Sequence, residues 1–265
     1  MAIAENQGQH IFFDDVGSGT PVVLGHSFLC TGEMWREQVS VLAKGYRVIN
    51  PDLRGHGRSG PAHRPFSLYD AVEDVIAILD LLDIERAVWC GLSIGGMVAI
   101  RAALTRPERV AALILLDTDA GSETLAQKLK YRAMGVGTRT MGIRPFLPAI
   151  TRLMFGSTTI RQNPDLVRQW RDVFASVDVR SALMCLDTAM KRDSVVPRLP
   201  EIEAPSLVMA GEEDRSLPLA LSRRIHEGLR DSTLTVVRRA GHLSALEQPA
   251  QVNDAITGFL STRLA

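Results

Sequence analysis

Gly91-Leu92-Ser93-Ile94-Gly95 lies between a short apolar run, Ala87-Val88-Trp89-Cys90, and a run of small and apolar residues, Gly96-Met97-Val98-Ala99-Ile100. A G-x-S-x-G sequence between a strand and a helix is the context of a nucleophile elbow. The turn is so tight that the serine takes a strained backbone conformation and its hydroxyl is pushed out above the sheet edge. Glycines flank it because a Cβ at either place would crowd the strand against the helix. The motif predicts a serine nucleophile, and the rest of the chain must then supply a base, an acid and two fixed N–H donors.

Outward from the elbow, the first half alternates strands and helices. Gln9 to Val16 reads as an edge strand, followed by the turn cluster Asp15 to Pro21. Val22-Val23-Leu24 and Tyr46 to Leu53 are strand candidates. Leu68 to Leu82 places Val72, Val75, Ile76, Leu79 and Leu82 at the spacing of an amphipathic helix. Ala87 to Cys90 is a strand, Gly95 to Leu104 a helix, and Val110 to Leu116 a continuous apolar strand of the kind buried on both faces.

From Ala120 to about Val196 no strong strand candidate appears. That segment is rich in Arg and Met, is punctuated by Pro145, Pro148 and Pro164, and has helical patches at Leu166 to Phe174 and Ser181 to Met190. Alternation resumes with a strand at Ser206 to Ala210, a helix at Leu217 to Leu229, a strand at Thr233 to Val237 and a helix at Ala250 to Leu260. The expected fold is α/β, with a mostly parallel central sheet flanked by helices. Residues 1–119 and 197–265 would form the core, and 120–196 an inserted helical cap.

The 265 residues suffice for one such domain with an insertion. Thirty Lys and Arg balance thirty Asp and Glu, which argues against general affinity for nucleic acid or an anionic membrane. Cys30, Cys90 and Cys185 are too widely spaced for a zinc pair or a disulfide framework, and read as buried thiols in a reducing compartment. The N-terminus has no secretory pattern and no apolar stretch reaches membrane length, so a cytoplasmic protein is expected.

A serine hydroxyl needs an adjacent base. His242, in Arg239-Ala240-Gly241-His242, follows the last strand on a loop able to fold over the sheet edge. His10 lies in a strand, His63 in a polar loop, and His226 on a helix face expected to be exposed. His26 and His56 sit in glycine-containing turns near the sheet edge and stay open as alternatives. For the acid, Asp214 follows the strand Leu207 to Ala210, and serine, then acid, then histidine is a known order for such triads. Glu212, Glu213, Asp117 and Asp119 are its competitors. The oxyanion donors are expected to be the backbone N–H groups of Ile94, after the nucleophile, and of Phe28, in the loop after Leu24. Asp52-Leu53-Arg54-Gly55-His56-Gly57-Arg58-Ser59-Gly60 is glycine-rich but lacks the spacing of a phosphate loop or dinucleotide fingerprint, and reads as a structural turn. No metal-ligand cluster is visible. Cofactor-free chemistry is expected.

Several segments together resemble the α/β-hydrolase superfamily: Asp52 to Gly60, the elbow, Gly211-Glu212-Glu213-Asp214 through Pro218, and Gly241-His242 through Pro249. Ser27-Phe28-Leu29-Cys30-Thr31 with Met34-Trp35, the extended elbow GLSIGGM, and His242-Leu243-Ser244 with Glu247-Gln248-Pro249 are similar to the 3-oxoadipate enol-lactonase group and small carboxylesterases. The resemblance implies the triad Ser93, Asp214 and His242 under a helical cap. Many superfamily members carry His-Gly in the oxyanion loop. This chain has His26-Ser27, as the lactonase-like group tends to.

The resulting expectation is hydrolysis of a small-molecule carboxylic ester or lactone through an acyl-enzyme. The alternatives are a carbon–carbon bond hydrolase, amidase or perhydrolase with the same triad, or a receptor that retains it. Dehalogenases and epoxide hydrolases are disfavoured because their elbow nucleophile is aspartate. In the insertion, Arg132, Arg139, Arg144, Arg152, Arg161, Arg168 and Arg171 either reach a substrate carboxylate or form solvated helix faces. Met134, Met141, Phe146, Leu147, Met154, Phe155 and Met184 either line an apolar pocket or pack between helices.

Overall fold

The computed structural model describes residues 2–263. Eight strands form one sheet: Ala2–Asn6 (β1), Gln9–Gly17 (β2), Thr20–Gly25 (β3), Tyr46–Pro51 (β4), Ala87–Leu92 (β5), Val110–Leu116 (β6), Ser206–Gly211 (β7) and Ser232–Val237 (β8). Their spatial order is β1-β2-β4-β3-β5-β6-β7-β8. The β1–β2 and β2–β4 pairings are antiparallel, and the remaining pairings are parallel.

The flanking helices are Arg36–Leu42 (α1), Leu68–Leu81 (α2) and Ile94–Thr105 (α3). Between β6 and β7 the chain forms Leu125–Met141 (α4), Leu147–Met154 (α5), Ser157–Gln162 (α6), Pro164–Ser176 (α7) and Val179–Lys191 (α8). Leu219–Gly228 (α9), Ser244–Glu247 (α10) and Pro249–Arg263 (α11) follow. Among the described residues no helix is long and apolar enough to cross a membrane.

The apolar strand runs have a direct cause. Ala87 and Trp89 of β5 and Leu113 and Leu115 of β6 pack toward α2 and α3. Their neighbours Val88, Cys90, Ala112 and Ile114 point to the opposite face, into a cluster with Leu42 of α1 and Val252 and Ile256 of α11. Side chains alternate across a strand, so a sheet covered on both faces needs apolar residues at every position. The three cysteines are free and buried, and burial pushes their thiols up.

One expectation is corrected. Gln9–Gly17 is not an edge strand, because β1 pairs outside it from Ala2↔Phe13 to Asn6↔Gln9. The two-residue turn Gln7-Gly8 has φ of 51° and 77°, the pair of positive values that a tight primed hairpin turn requires. Glutamine at the first position is not a usual signal for that turn, so the hairpin is hard to see in the sequence.

In the insertion, local caps explain the helix starts. Asn163 accepts from the Leu166 N–H at 3.2 Å to open α7, and Asp178 accepts from the Ser181 N–H at 2.8 Å to open α8. The insertion is anchored to the core by Ile150, Met154, Trp170 and Phe174, which are buried in the same cluster as β5 and β6 side chains.

Candidate active site

β5 ends at Leu92 and α3 begins at Ile94, leaving Ser93 alone in the turn with φ 56° and ψ −117°. Such a conformation costs roughly 1–3 kcal/mol and persists only where its surroundings hold it. Here the Ser93 N–H donates to the Leu116 carbonyl at 2.9 Å, and the Thr118 hydroxyl donates to the Ser93 carbonyl at 2.6 Å. The turn is compact because helix and sheet touch through glycines. A Cβ on Gly91 would lie 2.3 Å from the Gly95 carbonyl carbon, and one on Gly95 would lie 2.2 Å from the Gly25 carbonyl oxygen.

The structure brings Ser93, His242 and Asp214 together from three loops at one sheet edge. His242 Nε2 is 2.9 Å from Ser93 Oγ, and His242 Nδ1 is 2.8 Å from Asp214 Oδ2. The carboxylate partner puts the proton on Nδ1 and leaves Nε2 free to accept from the serine. Asp214 is itself oriented by the Ser216 and Leu217 N–H groups, which donate to its Oδ1 at 2.8 and 3.0 Å. Burial alone would disfavour the imidazolium. The charge and hydrogen bond of Asp214, with the carboxyls of Asp117 and Glu247 nearby, more than offset it, so the His242 pKa is raised above 6.5.

The competing acids are engaged elsewhere. Asp117 is fully buried and accepts from the Gly211 N–H at 2.6 Å and the Ser244 hydroxyl at 2.5 Å. It thereby ties the loop bearing Asp214 to the loop bearing His242. Burial, then the Asp214 charge, push its carboxyl upward. Asp119 is paired with Arg192 at 3.0 Å and Arg224 at 2.6 Å. Glu212 accepts from the Arg239 N–H at 3.0 Å. Glu213 holds the start of α6, accepting from Thr158 N–H and Ser157 Oγ at 2.8 and 2.9 Å.

His26 and His56 are buried supports of the Phe28 loop. His26 Nδ1 donates to the Ser27 carbonyl at 2.7 Å and its Nε2 accepts from the Leu53 N–H at 2.8 Å. His56 Nε2 accepts from the Leu29 N–H at 3.3 Å. Burial lowers both pKa values, that of His56 to about 3, so both rings stay neutral. The 52–60 turn therefore acts as scaffolding, and Asp52 anchors it by accepting from the Gly32 and Arg58 N–H groups at 2.6 and 2.9 Å. His226, expected on an exposed face, is half-buried, with Nδ1 2.7 Å from Ser232 Oγ. His10 and His63 are exposed.

Phe28 and Ile94 both line the cavity that opens over Ser93. Among the described residues neither backbone N–H has a hydrogen-bond partner. Ile94 is the first residue of α3, where N–H groups are unsatisfied by the helix and the dipole favours negative charge.

Two contributors were missed in the sequence. Glu247 accepts from the Gly241 and Leu243 N–H groups on either side of His242, at 2.9 and 3.3 Å, and from the Gly156 N–H of the insertion at 2.9 Å. Its place in His242-Leu243-Ser244-Ala245-Leu246-Glu247 was the available signal. Arg192 and Glu123 form the second contribution, a polar patch in the cavity wall.

The cavity offers about 1020 Å³ of space, part of it open to solvent, between the Ser93 edge and helices α4, α5 and α8. Met134 and Met154 line it, with Leu183, Leu186 and Met190 of α8. Of the other apolar candidates, Phe155 packs on Phe174 and Met141 is exposed. The seven arginines singled out in the insertion are all exposed and line none of it.

Residues 20–249 match the family model described as alpha/beta hydrolase fold. The chain is 31% identical over 227 residues to 3-oxoadipate enol-lactonase 2 of Acinetobacter baylyi, covering 86% of this chain and 83% of that protein. A thermophilic esterase from Thermogutta terrifontis superposes with a TM-score of 0.94 at 28% identity, covering 100% of this chain and 99% of the other. The enol-lactonase from Burkholderia xenovorans LB400 superposes with a TM-score of 0.92 at 26% identity, covering 98% and 100%. A family match over most of the chain, a mostly parallel eight-stranded sheet and a serine in a strained strand–helix turn lead to one conclusion: the chain belongs to the α/β-hydrolase fold family.

Proposed function

We propose that the protein is a serine hydrolase that cleaves a small carboxylic ester or lactone through an acyl-enzyme. The observation that carries this reading is the hydrogen-bonded row Ser93–His242–Asp214, at 2.9 and 2.8 Å, on the floor of a largely apolar cavity. The lactonase and esterase relatives support the substrate class.

In the first half-reaction Ser93 Oγ attacks the carbonyl carbon while its proton passes to His242 Nε2. The oxyanion is held by the N–H groups of Phe28 and Ile94. Asp214 stabilises the imidazolium and holds its tautomer without taking the proton. The carbon–oxygen bond to the leaving alcohol breaks, and that oxygen receives the proton from His242 Nε2. For a lactone the alcohol stays tethered to the acyl group. Water then attacks the acyl-enzyme, giving its proton to His242, and the proton returns to Ser93 as the carboxylic acid departs. Helices α4 to α8, within residues 120–196, serve as a cap that surrounds the acyl chain with apolar side chains.

A panel of p-nitrophenyl esters, γ- and δ-lactones and the matching anilides tests the reading. Steady turnover of esters or lactones, with anilides far slower, is expected. Faster anilide hydrolysis would make the protein an amidase, and one labelling event without cycling would make it a receptor. The pH dependence is a second expected result. The base must be neutral, and the raised His242 pKa keeps it protonated to higher pH. The acid limb of kcat/KM therefore has its midpoint above 6.5. Asp214→Asn lowers the rate and moves that midpoint down. A limb centred well below 6.5 in the wild type would remove His242 as the base.

A further inference from the structure

Among the described residues that line the cavity, Arg192 and Glu123 form a charged patch in a largely apolar wall. Arg192, at the end of α8, donates from Nε to the Gly121 carbonyl at 2.7 Å, from one terminal nitrogen to the Ala189 carbonyl at 2.7 Å, and from the other to Asp119 at 3.0 Å and Glu123 at 3.5 Å. Four of its five N–H groups are thereby occupied. Asp119 also pairs with Arg224. The two guanidinium groups and two carboxylates cancel, so the patch presents no uncompensated positive charge. Glu123 differs from the others. Its side chain is 9% exposed, it lines the cavity, and its Oε2 is buried with no hydrogen-bond partner among the described residues. A buried carboxylate oxygen without a donor is costly, and the cost is recovered when a ligand supplies one. Tyr131 lines the same wall as a neutral phenol, its pKa raised by burial and then by Glu123.

We propose that Glu123 is the polar recognition point of the acyl pocket: it receives a neutral hydroxyl or amide N–H carried by the ester or lactone, and the pocket discriminates against substrates with a free carboxylate. The inference rests on the ester/lactone reading above and refines its substrate class. A donor on the substrate would add to the single long contact, 3.5 Å from Arg192, that the Glu123 carboxylate makes, in an environment where a charged acceptor forms a strong bond. A second carboxylate would meet Glu123 with Arg192 already committed, and like charges in a poorly solvated cavity repel. The exposed cap arginines offer no alternative partner inside the cavity.

The test compares p-nitrophenyl esters of hexanoic, octanoic and decanoic acids bearing at the far carbon a hydrogen, a hydroxyl, a methoxy group or a carboxylate. For at least one chain length the hydroxy ester is expected to exceed the methoxy ester in kcat/KM by about 10-fold, the worth of one hydrogen bond to a charged group. The carboxylate ester is expected to fall below the unsubstituted one by at least about 10-fold. In Glu123→Leu both ratios, each taken within the variant, should move toward unity. Equal hydroxy and methoxy rates at all lengths, a carboxylate ester turned over as well as the unsubstituted one, or ratios unmoved by Glu123→Leu would overturn the proposal. If Glu123→Leu does not fold, the wild-type ratios decide. If no ester turns over, the hydrolase reading fails by itself. Calorimetric binding of the hydroxy and methoxy esters to the Ser93→Ala protein then tests Glu123 alone, and equal affinities overturn it.

Discussion

Ser93→Ala is expected to lower kcat/KM on a short aryl ester by about ten-thousand-fold or more, with the thermal midpoint within a few degrees of wild type. The expectation follows from the local geometry. The hydroxyl makes one side-chain hydrogen bond, to His242 at 2.9 Å, and is otherwise turned to the cavity. The bonds that hold the elbow are made by the Ser93 backbone, to Leu116 and Thr118, and alanine keeps them. Alanine also keeps the positive φ of 56°, so the strain of the turn is unchanged. Ser93→Gly, which relaxes that strain, is expected to unfold at the same or a higher temperature while being equally inactive. Steady-state rates and a melting curve on both variants check the pair. Retained activity in a folded Ser93→Ala protein would remove Ser93 as the nucleophile.

Gly95→Ala is the corresponding test of the fold, with an expected loss of about 4 kcal/mol or more and a midpoint lowered by roughly 10 °C. The added Cβ would stand 2.2 Å from the Gly25 carbonyl oxygen and 2.9 Å from its Cα. Both are backbone atoms of β3 and cannot rotate away, so α3 must lift from the sheet. That displacement carries the elbow with it and separates Ser93 Oγ from His242, so activity should fall beyond what the melting curve accounts for. Gly258→Ala in α11 is the control. A Cβ there would meet nothing within 4 Å, and alanine is the better helix former, so a gain of up to about 1 kcal/mol is expected. Equal midpoints for Gly95→Ala and wild type would refute the close approach of helix and sheet.

Legibility in the sequence followed the range of the interactions. The buried strands β5, β6 and β7 announce themselves because both faces are covered and, Ser206 at the start of β7 apart, no position carries a polar side chain. Helix α2 is visible for its apolar stripe, and its start is marked by the Ser67–Asp70 capping box. Helix α4 is not, since Gly135 and Gly137 lower its propensity and Leu125, Leu129 and Val136 face outward, which blurs the stripe. β1 was hidden by its uncommon turn.

Ser93 and His242 could be picked out by local context, as residues that follow strands, and Asp214 by chain order among several competing carboxylates. The supports could not. Asp117 reaches Ser244, Glu247 reaches Gly156, and His26 reaches Leu53, each across a span of chain with no regular spacing. Such partners are chosen by where loops meet after folding, and periodicity does not record that.

By itself the sequence determined the alternation of strands and helices, the elbow, and the residue types able to serve as nucleophile, base and acid. These rest on short-range rules: apolar period, turn chemistry and the order of motifs along the chain. Only the tertiary structure decided which carboxylate faces His242, which side chains of residues 120–196 reach the cavity, and that Arg192 arrives there already neutralised beside a Glu123 oxygen without a donor. The physical reason is that charge pairing and burial are properties of three-dimensional neighbourhoods, and residues 119, 123 and 192 become neighbours only when the insertion closes over the sheet.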